Sequence, residues 1–434
     1  MVMAPSVVLT GTDTSLLGGI SSSFRINPYT GRYLDVERVD GPYLDTKDGR
    51  RFIDFFMGHG SEILGHAPAP VFQAVAKDLE RCGVVSGYET GVGEEVASLL
   101  TRMVPSAEKV RFAASGSEAV YMSIRLARAV TGRDIVVKID GHFNGGSDYA
   151  LFNAFSRQTD AANPGGRPSE LKPMSAGIPR VVRDSLVAVP WNDLPALDDA
   201  LTNFWPVAAV IMVPIDFNNG CLLPADGYLA AAQDLAHNAG AVVIFDEVLS
   251  GFKTGTSCAQ GFFGVTPDIT TLSKALSNGF PLSAIVGRAD LLEAFTRPIP
   301  NGALQGGTFA GNGVGVSAGR ATLRKLDEPS FYPELLGRAH KFFIGLQEAL
   351  DRYHTPARVQ FAGNMFGIYV GTREPVRSHA DIRRLDPHHA QTFFTRCIER
   401  GLYFHTDFMI SAAHTQEVLD EALSRLETVA AMGV

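Results

Sequence analysis

The sequence predicts an α/β protein built on a mostly parallel β-sheet covered by helices. Helix and strand patterns alternate from about residue 71 to residue 296, and several strand patterns are uninterrupted apolar runs. With 434 residues, 45% of them hydrophobic and 19% charged, the chain is long enough to bury one large core and a smaller one. These observations predict two domains, with the parallel sheet in the larger one.

The predicted elements follow in chain order. Alternating apolar residues over 38–56 predict a small antiparallel meander around the turn Thr46-Lys47-Asp48-Gly49. The alternating region then contains predicted helices at 93–103, 118–130 and 228–238 and predicted strands at 109–112, 135–139, 208–213, 241–245, 268–273 and 283–286. From residue 330 the order becomes helix, two strands near Val359 and at 366–370, and two helices at 387–400 and after Thr415, which predicts a smaller α+β domain. The stretch 161–180 is rich in Pro, Gly and Ser and is interpreted as a long excursion near the functional site.

Composition excludes several classes of function. A formal charge of −8 without a dense Lys/Arg run argues against a nucleic-acid partner. The four cysteines are scattered and show no CxxC spacing, so neither a disulfide framework nor a metal site is predicted. Residues 1–10 lack a basic leader, and no apolar stretch approaches the length of a membrane span. We therefore expect a cytoplasmic protein with no membrane partner.

Two residues of opposite charge indicate a ligand site at the edge of the sheet. Asp246 ends the apolar run 241–245, and Lys274 follows the strand-like run 268–273, which places it 28 residues later. If both runs are neighbouring strands, carboxylate and amine lie at strand C-termini, where open α/β sheets bind ligands. Either residue alone is normally a solvated charge or a turn residue, so the prediction depends on the pair.

Two further segments have the composition of ligand-binding loops. Ser115-Gly116-Ser117 leads from a strand into a helix, where free N–H groups and the helix dipole favour a phosphate, although such residues are more often a simple cap. Phe143, between glycines in Asp140-Gly141-His142-Phe143-Asn144-Gly145-Gly146, is suited to stacking on a flat aromatic ligand. A buried packing anchor remains the alternative for Phe143.

In combination, these motifs resemble class III, fold-type I, pyridoxal-phosphate enzymes, particularly those similar to glutamate-1-semialdehyde aminomutase. The resemblance extends from about Leu17 to the C-terminus. It rests on motifs that occur in family order, namely Ser115-Gly116-Ser117-Glu118-Ala119, Ile124-Arg125-Leu126-Ala127-Arg128, Phe245-Asp246-Glu247-Val248, Gly264-Val265-Thr266-Pro267-Asp268, Ser273-Lys274 and Gly307-Thr308-Phe309-Ala310-Gly311-Asn312.

The resemblance implies a fold, a cofactor and a role for each residue. The fold is a large domain with a mostly parallel seven-stranded sheet (69–325), a small α+β domain (326–434) and an N-terminal segment (1–68) that packs with the small domain. The implied cofactor is pyridoxal 5'-phosphate. Lys274 is expected to form an aldimine with it and to move protons, and Asp246 is expected to pair with its ring nitrogen. The other implied cofactor contacts are Ser115, Gly116, Ser117, Phe143, Asn218, Val248 and Thr308.

The resemblance also implies partners and substrate contacts. Thr308 is expected to complete the phosphate site of the neighbouring subunit, which implies a homodimer with shared active sites. Arg25 aligns with an arginine that binds the substrate carboxylate, with an exposed surface arginine as the alternative. His59 and Thr406 are expected to line the substrate pocket. The aromatic residues Phe24 and Phe56 near His59 suit a hydrophobic or aromatic amino acid, with a polar substrate as the alternative.

Departures from the aminomutase pattern favour an aminotransferase. Val213 and Asn144 replace a glutamate and a histidine, and a gating acidic residue is replaced near Thr406. An aminomutase must retain its intermediate, whereas an aminotransferase must release one product and admit a second substrate. We therefore expect transfer of an amino group between an amino acid or related primary amine and a keto acid. The alternatives are an isomerase, either an aminomutase or a racemase, and a catalytically silent binding protein.

Overall fold

A computed structural model describes residues 15–155, 169–204 and 206–433 of the chain. Residues 1–10, where the absence of a leader was predicted, and residues 161–168 of the predicted excursion lie outside the described residues. Among the described helices, none combines the length and the apolar composition that crossing a bilayer requires.

The centre of the molecule is a seven-stranded sheet with strand order β4-β10-β9-β8-β7-β5-β6. Six strands run in one direction, and only β10 is antiparallel to its two neighbours. Most of these strands are buried along their length, as expected when helices cover both faces of a parallel sheet. The strands are β4 (Lys109–Ala113), β5 (Ile135–Ile139), β6 (Leu186–Val189), β7 (Val207–Met212), β8 (Val242–Glu247), β9 (Ile269–Leu272) and β10 (Ser283–Gly287). The predicted mostly parallel α/β fold is confirmed.

The described residues also form two smaller sheets, and the first of them combines strands from the two ends of the chain. The first has the order β1-β2-β3-β13, and β13 pairs in parallel with β3 through Leu402 opposite Ile53. The second has the order β11-β12-β14. Their strands are β1 (Val36–Asp40), β2 (Tyr43–Thr46), β3 (Arg51–Asp54), β11 (Ala357–Ala362), β12 (Met365–Val370), β13 (Leu402–Tyr403) and β14 (Phe408–Met409). The chain division at residues 68 and 325 stays a prediction.

The helices of the described residues have amphipathic or fully apolar patterns and pack on these sheets. They are α1 (Met57–Gly60), α2 (Ala69–Cys82), α3 (Gly91–Met103), α4 (Gly116–Thr131), α5 (Arg180–Arg183), α6 (Leu194–Asn203), α7 (Tyr228–Asn238), α8 (Cys258–Phe263), α9 (Ala289–Leu292), α10 (Gly313–Leu326), α11 (Phe331–Arg352), α12 (His379–Arg384), α13 (Pro387–Glu399) and α14 (Gln416–Ala430). The predicted helices at 93–103, 118–130, 228–238 and 387–400 all form within two residues of these bounds.

Candidate active site

The predicted charge pair lies at one edge of the central sheet. Asp246 is the next-to-last residue of β8, and Lys274 begins a short 3-10 turn, Lys274–Leu276, two residues after β9. Because β8 and β9 are parallel neighbours, both side chains lie at strand C-termini. They border a cavity of about 200 Å³ that is lined by Ser115, Gly116, Ser117, Val120, Phe143, Gly145, Val213, Asn218, Asp246, Val248, Leu249, Ser273 and Lys274.

Asp246 is a fully buried carboxylate whose orientation is fixed by three hydrogen bonds. Its Oδ1 accepts from the Val248 N–H at 3.1 Å and the Thr271 hydroxyl at 3.2 Å, and its Oδ2 accepts from the Asn144 amide at 3.0 Å. Burial raises the pKa of Asp246, while these donors and the charge of Lys274 act in the opposite direction. The aspartate therefore presents a fixed acceptor to the cavity.

Lys274 is held in a left-handed backbone conformation and is partly buried. Its φ of 48° is rare for a residue other than glycine and is found at strained functional positions. Burial lowers the pKa of Lys274, and the opposing charges are, in order of size, Asp407, Asp246 and Glu62. A lysine with a lowered pKa has a larger neutral fraction, which is the nucleophilic form.

The segment Ser115-Gly116-Ser117 forms the N-terminus of α4 and one wall of the cavity. Ser115 is the N-cap, with its hydroxyl accepting the Glu118 N–H at 3.2 Å, and the first intrahelical bond runs from the Ala119 N–H to the Ser115 carbonyl. The N–H groups of Gly116 and Ser117 precede that bond, so they are available to an anion at the positive end of the helix. A Cβ on Gly116 would lie 2.8 Å from Val248, which explains the glycine.

Phe143 and Val248 line this cavity from two different loops. The Phe143 ring stacks on Phe155 at 5.6 Å and meets Phe24 edge-on at 5.9 Å. The next residue, Asn144, donates to Asp246, so the loop that carries Phe143 also orients the aspartate.

A buried trio behind this loop, His142, Asp216 and His379, has the composition of a metal site. Its ligand atoms lie within 4.8 Å of one another, and His379 Nε2 is 2.8 Å from an Asp216 oxygen. However, His142 Nδ1 accepts the Val213 N–H at 3.1 Å. The neutral ring therefore carries its proton on Nε2, which leaves no lone pair there for a metal. Asp216 and His379 form a hydrogen-bonded pair that joins the segment after β7 to α12, and His142 is held separately by the Val213 N–H.

None of the predicted substrate residues Arg25, His59 and Thr406 is among the residues that line this cavity. They lie on a second wall beside it, formed by α1, the 3-10 turn Ser23–Arg25 and the segment before β14. His59 Nδ1 is 3.0 Å from Asp407 Oδ2, and the Thr406 hydroxyl donates to the same oxygen at 3.2 Å. Arg25 is exposed, and its charge acts on His405. Phe24 lies between the two walls, because its ring contacts both His59, at 6.2 Å, and Phe143.

Asn218 and Thr308 have different positions relative to the cavity. Asn218 lines it and also lines a smaller cavity of about 80 Å³ that reaches Thr406. Thr308 is exposed, in a loop with Gly307 and Phe309, and does not line the cavity of its own chain. Its predicted contact with a cofactor in a neighbouring subunit is not tested by a single chain.

Comparison with known proteins identifies the family. Residues 27–429 match the family described as Aminotransferase class-III. The chain belongs to this family. The glutamate-1-semialdehyde 2,1-aminomutase of Methanocaldococcus jannaschii is 37% identical to it over 422 residues, which is 95% of each chain.

Solved structures agree with this assignment. An omega-transaminase from Sphaerobacter thermophilus superimposes with a TM-score of 0.88 at 28% identity, covering 96% of this class-III chain and 94% of the transaminase. A transaminase with PLP bound superimposes with a TM-score of 0.84 at 25% identity, covering 96% and 95%. The fold is therefore fold-type I, and the cofactor is pyridoxal phosphate.

The cavity of this class-III protein fits that cofactor. The fixed carboxylate of Asp246, the amine of Lys274 and the helix N-terminus at Gly116 border one space. A Cβ on Gly116 would take up part of it, and a Cβ on Gly145 would lie 2.8 Å from the Ser117 hydroxyl. The residues thus leave room for a flat ring with a phosphate at one end and an aldehyde near the lysine.

Sequence reasoning missed two acidic residues near the site, the buried Asp407 and the partly buried Glu62. Among the charged residues that act on Lys274, Asp407 has the largest effect on the lysine pKa and Glu62 has the third largest. A signal for Asp407 was present, because the polar triplet His405-Thr406-Asp407 interrupts an apolar run between Phe404 and Phe408. The sequence contains no comparable signal for Glu62, since a single glutamate near a short helix is usually solvated.

Proposed function

We propose that the protein is an aminomutase-type isomerase, which moves an amino group between adjacent carbons of a carboxylate-bearing substrate. The observation that carries the proposal is the 37% identity to a glutamate-1-semialdehyde 2,1-aminomutase over 95% of each chain. The substrate wall supports it. The sequence comparison indicates that the acidic residue expected near Thr406 is replaced. In the structure the next residue, Asp407, is a buried carboxylate whose charge acts on Lys274. The reason for preferring an aminotransferase from sequence is therefore weaker.

In this proposal each side chain of the cavity has a defined task. When bound, the cofactor supplies an electron-withdrawing ring that stabilises negative charge at the substrate carbon. Asp246 would accept a hydrogen bond from the ring nitrogen, and the N–H groups of Gly116 and Ser117 would hold the phosphate. Phe143 and Val248 would contact the ring. Lys274 would hold the cofactor and would move a proton to or from the substrate carbon through Nζ, a role that its lowered pKa supports.

Arg25 is proposed to bind the substrate carboxylate. Its guanidinium offers two parallel N–H groups and lies on the substrate wall near His405. Its side chain is exposed, and the neighbouring Phe24 contacts Phe143 of the cavity lining at 5.9 Å, which supports a position near the site.

The decisive experiment supplies glutamate-1-semialdehyde to the purified protein with pyridoxal phosphate and no keto acid. An aminomutase-type enzyme converts it to the isomer with the amino group on the neighbouring carbon. The product is detected by chromatography with mass detection, against a standard of that isomer. A strict requirement for a keto-acid acceptor, with no conversion in its absence, would contradict the proposal.

Intermolecular amino transfer is the second candidate function, and a specific observation favours it. The omega-transaminase superimposes with a TM-score of 0.88 over 96% of this chain. Val213 and Asn144 add to this, as residues that depart from the aminomutase pattern. Turnover of an amino donor that requires a keto acid and yields a new amino acid would establish it in the same assay.

We further propose a cytoplasmic homodimer in which Thr308 of each subunit completes the phosphate site of the other. Four exposed apolar side chains lie in two adjoining loops, Val84 and Tyr88 after α2 and Leu304 and Phe309 before α10. Large exposed apolar surfaces of this kind mark protein interfaces. The four free thiols are consistent with a reducing compartment.

A further inference from the structure

A cavity of about 640 Å³ lies beside the edge strand β11 and shares no lining residue with the cavity that borders Lys274. We call it the β11 cavity. It is formed by β11, by residues 375–377 before α12 and by residues 223–226 before α7, together with Asn192. Its volume lies in the range of sites that bind small organic molecules. The proposed reaction makes no use of it.

Two side-chain amides fix the walls of the β11 cavity. The Gln360 amide of β11 accepts the Val376 N–H at 2.6 Å and donates to the Val376 carbonyl at 3.0 Å. The Asn192 amide accepts the Ala225 N–H at 2.8 Å and donates to the Arg377 carbonyl at 3.5 Å. These bonds join the segments that surround the space, so the cavity is a built feature of the fold.

Arg358 brings an unpaired positive charge to the β11 cavity. The residue is half-buried, and its Nε is enclosed by the protein without a hydrogen-bond acceptor. Within the part of the chain that the structure describes, no carboxylate forms an ion pair with its guanidinium. The guanidinium keeps its proton at any ordinary pH. Because a partly enclosed charge without a counter-ion is unfavourable, an anion in the cavity is favoured.

The other charged residues of the lining leave an excess of one positive charge. Arg377 adds a second guanidinium and Asp226 adds a carboxylate, and both side chains are exposed. The position of Arg377 is fixed at its backbone, since its N–H donates to Asp381 at 3.1 Å. Two positive charges and one negative charge suit a ligand with a single negative charge.

The rest of the lining is largely apolar, which favours an organic anion. A ligand that covers this surface gains from removing it from water, and the half-buried Phe361 offers an aromatic face. An inorganic anion gains nothing from these walls. The apolar lining residues are Leu223, Pro224, Val359, Phe361, Pro375 and Val376.

We propose that the β11 cavity is a second small-molecule site, which binds a monocarboxylate with an apolar body. The carboxylate pairs with the Arg358 guanidinium, whose planar N–H groups match its two oxygens. Arg377 adds to the positive potential of the cavity, and the apolar body lies against Phe361. The inference is independent of the proposed function, because this cavity is separate from the one that borders Lys274.

Three probes test the ligand class on the protein with its cofactor, by calorimetry. They are 3-phenylpropionate, its neutral analogue 3-phenylpropanamide, and inorganic phosphate. We expect the carboxylate to bind at least roughly tenfold more tightly than the amide, the size typical of a hydrogen bond to a charged group. Phosphate should bind more weakly than the carboxylate. Equal affinity for carboxylate and amide, or tighter binding of phosphate, overturns the inference.

Variants locate the binding. Arg358→Gln should weaken the binding of 3-phenylpropionate at least roughly tenfold and leave that of the amide unchanged. Arg377→Gln should weaken it and Asp226→Asn should strengthen it, because they change the charge of the cavity in opposite directions. Arg373→Gln is the matched control, at an exposed arginine of the same connection that does not line the cavity, and should have no effect. If Arg358→Gln does not fold, judged by its melting curve, the opposite shifts of the two exposed variants decide.

Arg25→Ala separates this site from the substrate site, where a carboxylate is also proposed to bind. Binding of 3-phenylpropionate should persist in Arg25→Ala and should disappear when Arg358→Gln is added. Binding that is lost in Arg25→Ala alone, or that survives every change at the β11 cavity, overturns the inference. Failure of both proposed reactions leaves this result unaffected, because the readout is binding and not turnover.

Discussion

At the scale of single residues, Glu62 is a partly buried carboxylate whose charge acts on Lys274. Its Oε2 has no hydrogen-bond partner, and its carboxylate fills the space beside Gly58 and Gly279. Burial raises the pKa of Glu62 to about 7, against charges from His66 and Lys253 that lower it. Between pH 4.5 and about 7 the folded state therefore binds more protons than the unfolded state at this residue. The free energy of unfolding should fall as pH rises through this window.

Glu62→Gln should flatten that dependence. We expect the decrease between about pH 4.5 and 7 to become smaller by an amount on the order of a few kcal/mol, measured by urea unfolding at several pH values. Glu94→Gln, at an exposed glutamate in the first turn of α3, is the control and should leave the slope unchanged. Lys253 does not interfere with this measurement. Burial lowers the pKa of Lys253 to about 7, so its contribution to the free energy of unfolding changes above pH 7 and not within the window. An unaltered slope in Glu62→Gln would show that Glu62 is ionised throughout.

Single residues were predictable from sequence where a regular element fixes them. Lys274 and Asp246 follow strands of a parallel sheet, so their convergence could be argued without coordinates. Asp407 lies in an irregular segment from a distant part of the chain, and only the folded structure brings it to Lys274. The aromatic residues near His59 suggested an apolar substrate, whereas the unpartnered atoms beside them are polar.

At the scale of elements, the N-terminus of α4 combines a structural and a ligand-binding role. Ser115→Ala removes the cap that accepts the Glu118 N–H and should lower the free energy of unfolding by about 1 kcal/mol. Ser115→Ala should also weaken the binding of pyridoxal phosphate severalfold, because the cap orients the N–H groups beside the cavity. Thr415→Ala removes the equivalent cap of α14, where the hydroxyl accepts the Val418 N–H at 3.4 Å.

The two cap variants should differ only in their effect on the cofactor. Chemical unfolding of the cofactor-free protein should give similar losses for both, and titration of pyridoxal phosphate should show a weaker dissociation constant for Ser115→Ala alone. Equal cofactor affinity in both variants would mean that α4 does not hold the phosphate.

Elements with strong periodicity were predicted well, and short ones were not. The strands and helices at 109–139 and 228–245 form at nearly their predicted bounds. β6 and α6 were missed, because they follow the Pro- and Gly-rich excursion and were not separated from it. β13 and β14 were also missed; each is two residues long and depends on a partner elsewhere in the chain, such as β3. Local pattern cannot reveal a strand that exists through long-range pairing.

At the scale of the whole molecule, the exposed apolar loops predict assembly. Val84 and Tyr88 are 82% and 81% exposed, and Leu304 and Phe309 are 61% and 63% exposed. The loops adjoin one another, since the Gly313 N–H donates to the Val85 carbonyl at 3.0 Å. The loop with Phe309 also carries Thr308, so an interface here would place that threonine near a second subunit.

Val84→Glu with Tyr88→Glu should therefore convert a dimer to monomer, because two buried unpaired charges oppose association. Light scattering after size-exclusion chromatography measures the mass, and pyridoxal-phosphate affinity should fall in parallel as Thr308 of the partner subunit is lost. Ile344→Glu is the control, since Ile344 is 54% exposed on α11, away from these loops, and should leave the mass unchanged. A double variant that stays dimeric, or a monomer that keeps full cofactor affinity, would contradict a shared site built on this surface.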